Sequence, residues 1–340
     1  MQVADGVFQF KIPMPSRSHI PGGGLRYTLV YALDTAEGWV VIDAGLNTDE
    51  GFQAFQDQMT EAKIAPSDVS VILITHGHAD HAGLANRFKE LTGAQLAIHR
   101  LDASEEHGRQ HNQGQSPEET NRMLRRYGVP AGELEQAMAG IPRAGAHDHD
   151  RAWRMPTLAV DMMLEGGEEL VPGTGLWTIW TPGHSAGHIC LYDEKRRLLF
   201  SGDHVLPGIT PHVNLFPGEE GNPLALFLEG HRKLKELDVE MVHPAHEHSF
   251  PNLGKRVDEM LNHHRDRMNE MLAQVQDGQK TSWEVASKIG WNVASWEKLD
   301  PWTRRAALME TLAHLEYMVS AGEMERGERE SMVVYGLPRT

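Results

Sequence analysis

The sequence has a single cysteine, little basic charge and no long apolar run. Cys190 alone excludes an intrachain disulfide and, without a thiolate cluster, a structural zinc finger. The 32 lysines and arginines are outnumbered by 48 acidic residues, and the net charge of -16 disfavours a nucleic-acid-binding protein, which usually carries a basic face. No apolar run reaches the roughly 20 residues that a membrane-spanning helix needs.

The first residues, "MQVADGVFQFKIPMP", lack the basic segment and the apolar core of a signal peptide. Hydrophobic content of 40% and charged content of 24% are ordinary for a soluble globular protein. We therefore expect a cytoplasmic protein with one large domain and a smaller one, without a membrane partner.

Short apolar runs rich in β-branched and aromatic residues recur and predict strands. They are "YTLVYAL", "GWVVIDAG", "VSVILITH", "AQLAIHR", "LWTIWTPGH", "RLLFSGD" and "VEMVHPAH". Helical patterns lie between some of them, in "NTDEGFQAFQDQMTEA", "GLANRFKELTG" and "PLALFLEGHRKLKELD". This alternation predicts an α/β domain over residues 1–255.

Two segments depart from this alternation. Residues 101–155 are polar and helix-prone, and we interpret them as a helical, lid-like insertion. Residues 256–340 are predicted to be mostly helical, with an apolar stripe of Leu308, Leu312, Leu315 and Met318. The spacing leaves two possibilities open for that stripe: it packs inward, or it forms the interface of a homodimer.

Five predicted strands are each followed closely by a potential metal ligand. These ligands are Asp43, His76, His184, Asp203 and His246. Functional sites in α/β sheets collect at the carboxyl ends of strands, so five such residues indicate one shared site. Imidazole and carboxylate groups bind zinc and also manganese or iron. The pattern therefore predicts a metal centre at this edge.

The stretch "ILITHGHADHAGL" places three histidines and an aspartate within six positions. In an extended segment His76 and His78 point the same way, and after the following turn Asp80 and His81 can face a neighbouring point. One segment can thus serve two ions about 3.5–4 Å apart, the spacing of two-metal hydrolytic sites. Asp203 has two carboxylate oxygens and is well suited to bridge them.

"THGHADH" matches the HxHxDH motif of the metallo-β-lactamase fold, and "TPGHSAGH", "SGDH" and "HPAHEH" resemble its later motifs in the expected order. Residues 5 to about 255 therefore resemble the metallo-β-lactamase superfamily, with its glyoxalase II-like and lactamase-beta-2-like members. The resemblance implies a four-layer αββα sandwich with the site at one edge. Residues 256–340 resemble the C-terminal winged-helix-like module of lactamase-beta-2-like proteins.

The resemblance also implies a ligand set for two divalent ions, which we expect to be zinc, with manganese or iron as alternatives. One ion would be bound by His76, His78 and His184. The other would be bound by Asp80, His81 and His246. Asp203 would bridge the two ions, and Asp43 would orient ligands from outside.

The expected chemistry is attack by a metal-bridging hydroxide on the carbonyl of a small thioester, ester or lactone. Asp80 would hold the hydroxide as well as bind metal. His248 and His212 are the candidates for contacting substrate or protonating the leaving group. A Gly-x-Ser-x-Gly motif is absent, which argues against a serine hydrolase.

Three other functions are weighed against this one. A phosphodiesterase or ribonuclease of the same fold would bind nucleic acid through residues 256–340, but that segment has 11 basic and 14 acidic residues. One-iron oxidative chemistry would leave Asp80 or His81 unused. A non-catalytic scaffold would not need the intact ligand set.

The remaining histidines receive structural interpretations. His188 and His204 are predicted to support the ligands or to make structural hydrogen bonds rather than to bind metal, and His243 is predicted to be buried or paired. Cys190, inside the apolar run "HICLY", is predicted to be buried and inert. The insertion histidines are interpreted as loop residues: His107, His111, His147 and His149.

Overall fold

The structure is a computed structural model that describes residues 1–15, 25–103, 117–139, 152–153, 157–215, 221–292 and 294–338. His107, His111, His147 and His149 lie outside the described residues, as does part of the predicted insertion. None of the helices in the described ranges is long and apolar enough to cross a membrane.

The first sheet has seven strands within the described residues, and they are neighbours in chain order. They are β1 (Gln2–Ala4), β2 (Val7–Pro13), β3 (Tyr27–Thr35), β4 (Gly38–Ile42), β5 (Val69–Leu73), β6 (Gln95–His99) and β7 (Met162–Leu164). Strands β1 to β4 pair antiparallel, and β4 to β7 pair in parallel. The carboxyl ends of β4, β5 and β6 consequently meet at one edge.

The second sheet has four strands in the described chain, in the order β11-β10-β9-β8. They are β8 (Leu176–Trp180), β9 (Ile189–Asp193), β10 (Leu198–Gly202) and β11 (Met241–Pro244). Strands β8, β9 and β10 pair antiparallel, whereas β10 and β11 run in parallel. The parallel pair brings the carboxyl ends of β10 and β11 to the same edge.

The helices in the first part of the chain are α1 (Asp49–Ala62), α2 (Ala79–Ala82), α3 (Ala85–Thr92), α4 (Arg100–Ala103), α5 (Pro117–Arg126), α6 (Ala131–Ala139) and α7 (Pro223–Lys235). The last part contains α8 (Leu253–Gln274), α9 (Ser282–Ala286) and α10 (Pro301–Ser320). A hairpin of β12 (Glu325–Arg329) and β13 (Met332–Gly336) follows.

The alternation of side chains along the strands builds four layers. Val40 and Ile42 of β4 point between the two sheets, where they share a hydrophobic cluster with Phe200 of β10. Val41 points to the opposite face and joins a cluster with Phe55 of α1. Helices cover the outer face of each sheet, so the predicted αββα sandwich is confirmed.

The outer face of the second sheet packs on α7 and on the C-terminal helices in one continuous cluster. Leu199 of β10 and Phe227 of α7 share this cluster with Leu308 of α10. The predicted boundary at residue 255 falls just after α8 begins. Both sides of that boundary therefore contribute to the same hydrophobic core.

The apolar stripe of α10 is buried in the chain itself. Leu308, Leu312, Leu315 and Met318 are each at most 1% exposed. Of the two possibilities that the sequence left open, inward packing is confirmed, and this stripe is not a dimer interface. The hairpin after α10 matches the helices-then-hairpin order of a winged-helix-like module.

The described helices of the predicted insertion pack on the C-terminal module. The backbone N–H of Trp283 donates to the carbonyl of Tyr127 at 3.1 Å. Arg304 on α10 pairs with Glu133 on α6 at 3.1 Å. The helical prediction is confirmed for residues 117–126 and 131–139. The two contacts show that these helices pack on the C-terminal module.

Candidate metal centre

The predicted ligands gather at the shared edge of the two sheets. His76 lies three residues beyond β5, and His78 is the residue just before α2. His184 lies in the loop after β8, Asp203 directly follows β10, and His246 lies two residues beyond β11. All seven residues proposed as ligands belong to groups whose donor atoms lie close together.

The first ligand group consists of His76, His78 and His184. The Nε2 atom of His76 lies 2.9 Å from Nδ1 of His78, and Nε2 of His184 lies 3.1 Å from the same Nδ1. Oδ2 of Asp203 lies 3.6 Å from Nε2 of His184. Three imidazole nitrogens thus converge beside one carboxylate oxygen.

The second ligand group consists of Asp80, His81 and His246. The Nε2 atoms of His81 and His246 lie 4.0 Å and 3.6 Å from Oδ2 of Asp80. Oδ1 of Asp203 lies 3.6 Å from Nε2 of His81 and 3.4 Å from Nε2 of His246. The two oxygens of Asp203 therefore face different groups.

The donor atoms fit divalent ions better than they fit one another. Nε2 of His81 and Oδ1 of Asp203 are buried, and among the described residues neither has a hydrogen-bond partner. A buried unsatisfied polar atom costs about 1–3 kcal/mol. A cation with nitrogen and oxygen ligands would satisfy both atoms at once. The residues present therefore suit a metal centre.

Asp43 orients the second ligand group from the end of β4. Its carboxylate accepts hydrogen bonds from the backbone N–H of Thr75 at 2.8 Å and from Nδ1 of His81 at 2.9 Å. The bond fixes Nδ1 of His81 as the protonated nitrogen, so that Nε2 faces the cluster. Asp43 has a φ of 63°, which is uncommon for a residue other than glycine.

Three other ligand histidines use Nδ1 as an anchor. Thr75 Oγ1 lies 3.1 Å from Nδ1 of His76 and donates to Asp43 at 2.9 Å, so it accepts from His76. His184 donates from Nδ1 to the carbonyl of His212 at 2.8 Å, and His246 donates from Nδ1 to a backbone carbonyl at 3.1 Å. Each bond leaves Nε2 as the unprotonated nitrogen.

The pKa shifts place most of the proposed ligands in the protonation state that binds metal. Burial holds the pKa of His76 well below its usual value, so this ring is neutral. Burial acts to raise the pKa of Asp203, but the charges of His246 and His81 outweigh it and hold that pKa well below normal. Burial also acts to lower the pKa of His81, but Asp203 and Asp43 raise it. A metal ion would have to displace the His81 proton.

Asp102 is an organising residue that the sequence analysis missed. Its carboxylate accepts hydrogen bonds from the N–H of Gly77 at 2.9 Å, from Oγ of Ser185 at 2.7 Å and from the N–H of Gly187 at 2.6 Å. It thereby joins the loop of His76 to the loop of His184. Asp102 lies three residues beyond β6, so the strand-end rule applied to the other ligands would have found it.

Three structural predictions about other residues have clear outcomes. His188 accepts from the backbone N–H of Asp203 at 3.1 Å, which confirms its supporting role. His243 is 1% exposed and lies 2.8 Å from Oγ of Ser249, as predicted. Cys190 is fully buried, and burial raises the pKa of its thiol to about 12, so it is inert at neutral pH.

The hydrogen-bonding prediction for His204 is wrong. Both of its ring nitrogens are buried without a hydrogen-bond partner among the described residues. Its ring packs against His231 and Phe227, with centroids 4.3 Å and 4.7 Å away. The side chain therefore points into the helical layer and away from the ligands.

His248 and His212, the candidates for acid catalysis, are both exposed. His212 uses its backbone carbonyl to hold His184, and its ring pairs with Glu310 of α10 at 2.8 Å. Burial acts to raise the pKa of Glu310, but His212 outweighs it and lowers that pKa to about 2. Burial acts to lower the pKa of His212, but Glu310 raises it.

Two neighbouring nitrogen and oxygen ligand groups that share one carboxylate are characteristic of two-metal hydrolases as a class. A family model for the metallo-beta-lactamase superfamily matches residues 23–246. This match spans well over half of the chain, and the chain belongs to the metallo-β-lactamase superfamily. It is accordingly a metal-binding hydrolase.

Individual relatives agree with this assignment. A "Probable metallo-hydrolase" of Bacillus subtilis is 25% identical over 267 residues, which are 77% of this chain and 80% of the relative. An "Acyl-coenzyme A thioesterase" of Gallus gallus is 29% identical over 178 residues, which are 50% of this chain and 54% of that protein. A metallo-beta-lactamase family protein of Thermus thermophilus has a TM-score of 0.76 at 27% identity, covering 99% of this chain and 100% of the other.

Proposed function

We propose that the protein is a dinuclear metal-dependent hydrolase of small acyl thioesters, with esters and lactones as related substrates. The observation that carries the proposal is Asp203, whose two oxygens face two separate ligand groups at 3.4–3.6 Å. A one-metal enzyme would have no need of the second group. The similar Gallus gallus thioesterase supports the choice of a thioester.

In this proposal His76, His78 and His184 would hold the first ion. Asp80, His81 and His246 would hold the second ion. Asp203 would contribute one carboxylate oxygen to each, and zinc is the expected metal because imidazole and carboxylate ligands suit it. Ions in these positions would polarise a substrate carbonyl and lower the pKa of a bound water towards neutrality.

The protein's own residues place the substrate and move the protons. The Asp80 side chain is 20% exposed, more than Asp203 at 12%, so it can accept a hydrogen bond from the attacking water. His212 and His248 are the proposed proton donors to the leaving group. Because Glu310 raises the pKa of His212, a larger fraction of this ring is protonated near neutral pH.

The alternative is a phosphodiesterase or ribonuclease that uses the C-terminal module to bind nucleic acid. The helix-and-hairpin order of that module favours this reading. Against it, the hairpin arginines are already paired: Arg326 lies 3.4 Å from Glu316, and Arg329 lies 3.2 Å from Glu284. We therefore propose a small-molecule substrate and no nucleic-acid partner. We also propose a cytoplasmic location. A homodimer remains a prediction.

The test is a hydrolysis screen of zinc-loaded protein with an acyl thioester, a lactone, a β-lactam, a phosphodiester and single-stranded RNA. The matched variants are Asp80→Ala and Asp57→Ala, which removes an exposed carboxylate on α1. We expect thioester turnover that Asp57→Ala retains and Asp80→Ala loses. Turnover of only RNA or the phosphodiester would overturn the proposal in favour of the alternative.

A further inference from the structure

The loop of residues 204–215, between Asp203 and α7, is fixed at several points. Glu247 accepts hydrogen bonds from the backbone N–H groups of Gly208 at 2.9 Å and Ile209 at 3.3 Å. The Arg256 side chain on α8 donates to the carbonyl of Ile209 at 2.8 Å. The first half of the loop is thus held by charged side chains on two different elements.

The second half of the loop is held by α10. Oε2 of Glu310 lies 2.8 Å from Nδ1 of His212. Further along the loop, the backbone N–H of Leu215 donates to the carbonyl of Met309 at 3.3 Å. The Glu310 side chain is 12% exposed, and among the described residues its hydrogen-bond partner is His212, not a proposed ligand. Its visible function is to fix His212.

His212 is also the residue whose backbone anchors a proposed metal ligand. Its carbonyl accepts the hydrogen bond from Nδ1 of His184 at 2.8 Å, and Nε2 of His184 faces His78 and Asp203. A displacement of residue 212 would therefore rotate the His184 ring or break this Nδ1 hydrogen bond. Glu310 and His184 are connected through one residue.

We propose that Glu310 is a positioning residue of the metal centre: it fixes His212, and His212 in turn orients His184 towards the first ion. The inference rests on the proposed function only in assigning His184 as a ligand. It means that the C-terminal module completes a metal site whose ligands all lie before residue 255.

The expected loss of zinc affinity depends on how many contacts separate the substituted residue from the ligand. Removing the direct hydrogen-bond partner of a ligating histidine weakens metal binding by about 10–100-fold. Glu310 acts one residue further out, and the carbonyl of residue 212 persists in every variant. We therefore expect a loss of about tenfold at the first ion, the lower end of that range.

The experiment measures zinc stoichiometry and affinity by competition with a chromophoric chelator, using the full-length protein. The variants are Glu310→Ala, His212→Ala, the double variant, and Glu310→Gln, which keeps an oxygen acceptor for His212. Glu316→Ala is the matched control. Glu316 lies on the same helix, 19% exposed, and pairs with Tyr335 and Arg326 of the hairpin instead.

We expect Glu310→Ala and His212→Ala each to weaken one of two zinc sites about tenfold. The double variant should lose no more than either single variant, and Glu310→Gln should recover part of the loss. Absorption bands of the cobalt-substituted protein should change in the same variants. Glu316→Ala should lower thermal stability without changing zinc affinity.

Unchanged zinc affinity in Glu310→Ala, or an equal loss in Glu316→Ala, would overturn the proposal, because either result assigns Glu310 a general structural role. If Glu310→Ala does not fold, His212→Ala and Glu310→Gln decide in the same way. No substrate enters this measurement. A wild-type protein that binds two zinc ions but cleaves no thioester would therefore overturn the proposed substrate and leave this inference intact.

Discussion

His81, in the second ligand group, and His184, in the first, are oriented by different kinds of partner. Nδ1 of His81 donates to the buried carboxylate of Asp43, which the β-sheet positions directly. Nδ1 of His184 donates to a backbone carbonyl on a loop, at a residue whose own side chain is 58% exposed. The support of His81 is thus built into the core, whereas the support of His184 depends on a loop that the C-terminal module holds.

The two kinds of partner affect metal binding differently. A charged partner within hydrogen-bond distance increases the basicity of the ligand as well as its order. A neutral carbonyl fixes orientation but adds no charge. We therefore expect metal binding by His81 to be more sensitive to local changes in the core, and metal binding by His184 to be more sensitive to changes in the C-terminal module.

The largest effect on metal content and hydrolysis is expected from removing Asp203, the residue that the two groups share. Asp203→Ala deletes both bridging oxygens, so we expect the loss of both ions and of all hydrolysis above the metal-free level. Metal analysis of the purified protein and thioester turnover would measure this. Asp57→Ala serves as the control, and a variant that keeps one tightly bound ion would show that one group is independent of Asp203.

A smaller effect on zinc binding is expected from changing Asp43, the buried partner of His81. Asp43→Asn keeps the size of the side chain but removes the charge facing His81, and we expect zinc affinity to fall by about 10–100-fold. Chelator competition at fixed pH would measure it. The loss should exceed that of Glu310→Ala; a smaller loss would reverse the proposed contrast between His81 and His184.

Asp102 connects the two loops that carry the first ligand group, so its substitution should affect that group and the stability of the fold. Asp102→Asn leaves one oxygen for three donors, and we expect the free energy of unfolding of the metal-free protein to fall by about 1.5 kcal/mol. Denaturant unfolding would measure this. An equal loss of affinity at both zinc sites would contradict a role at the first group alone.

The smallest expected effect is the pH dependence of the Glu310–His212 pair. The lowered pKa of Glu310, about 2 against 4.5 when unpaired, stabilises the fold above pH 4.5 and is lost as the pH falls through about 2. The raised pKa of His212 stabilises the fold below its ordinary value of 6.5 and is lost as the pH rises through the raised value.

The Glu310–His212 pair therefore contributes most to the free energy of unfolding between pH 4.5 and 6.5. Because His212 is more than half exposed, solvent screening limits the contribution to at most about 1 kcal/mol. Unfolding of metal-free wild type and Glu310→Gln across this range would measure it. A difference that grows steadily above pH 7 would contradict the ion pair.

The edge of the sandwich was predictable because strand ends carry a local signal. Each apolar run that precedes Asp43, His76 and Asp203 has the length and composition of a strand, and parallel pairing brings such ends together. The same rule applies to Asp102. It was missed because that residue follows "AIHRL", where the polar insertion begins and the apolar pattern stops.

The support of His184 was not predictable from sequence. A backbone carbonyl, such as that of His212, exists at every position and carries no sequence signature. Glu310 lies 98 residues away from His212, on a helix whose spacing shows which residues share a face but not what that face contacts. The burial of the Leu308 stripe was undetermined for the same reason.

The most direct test of the dinuclear assignment is anomalous diffraction at the zinc absorption edge from crystals of the zinc-loaded protein. The assignment predicts two peaks on either side of Asp203, one among the nitrogens of His76, His78 and His184, the other beside Asp80, His81 and His246. A single peak, or peaks away from Asp203, would contradict it.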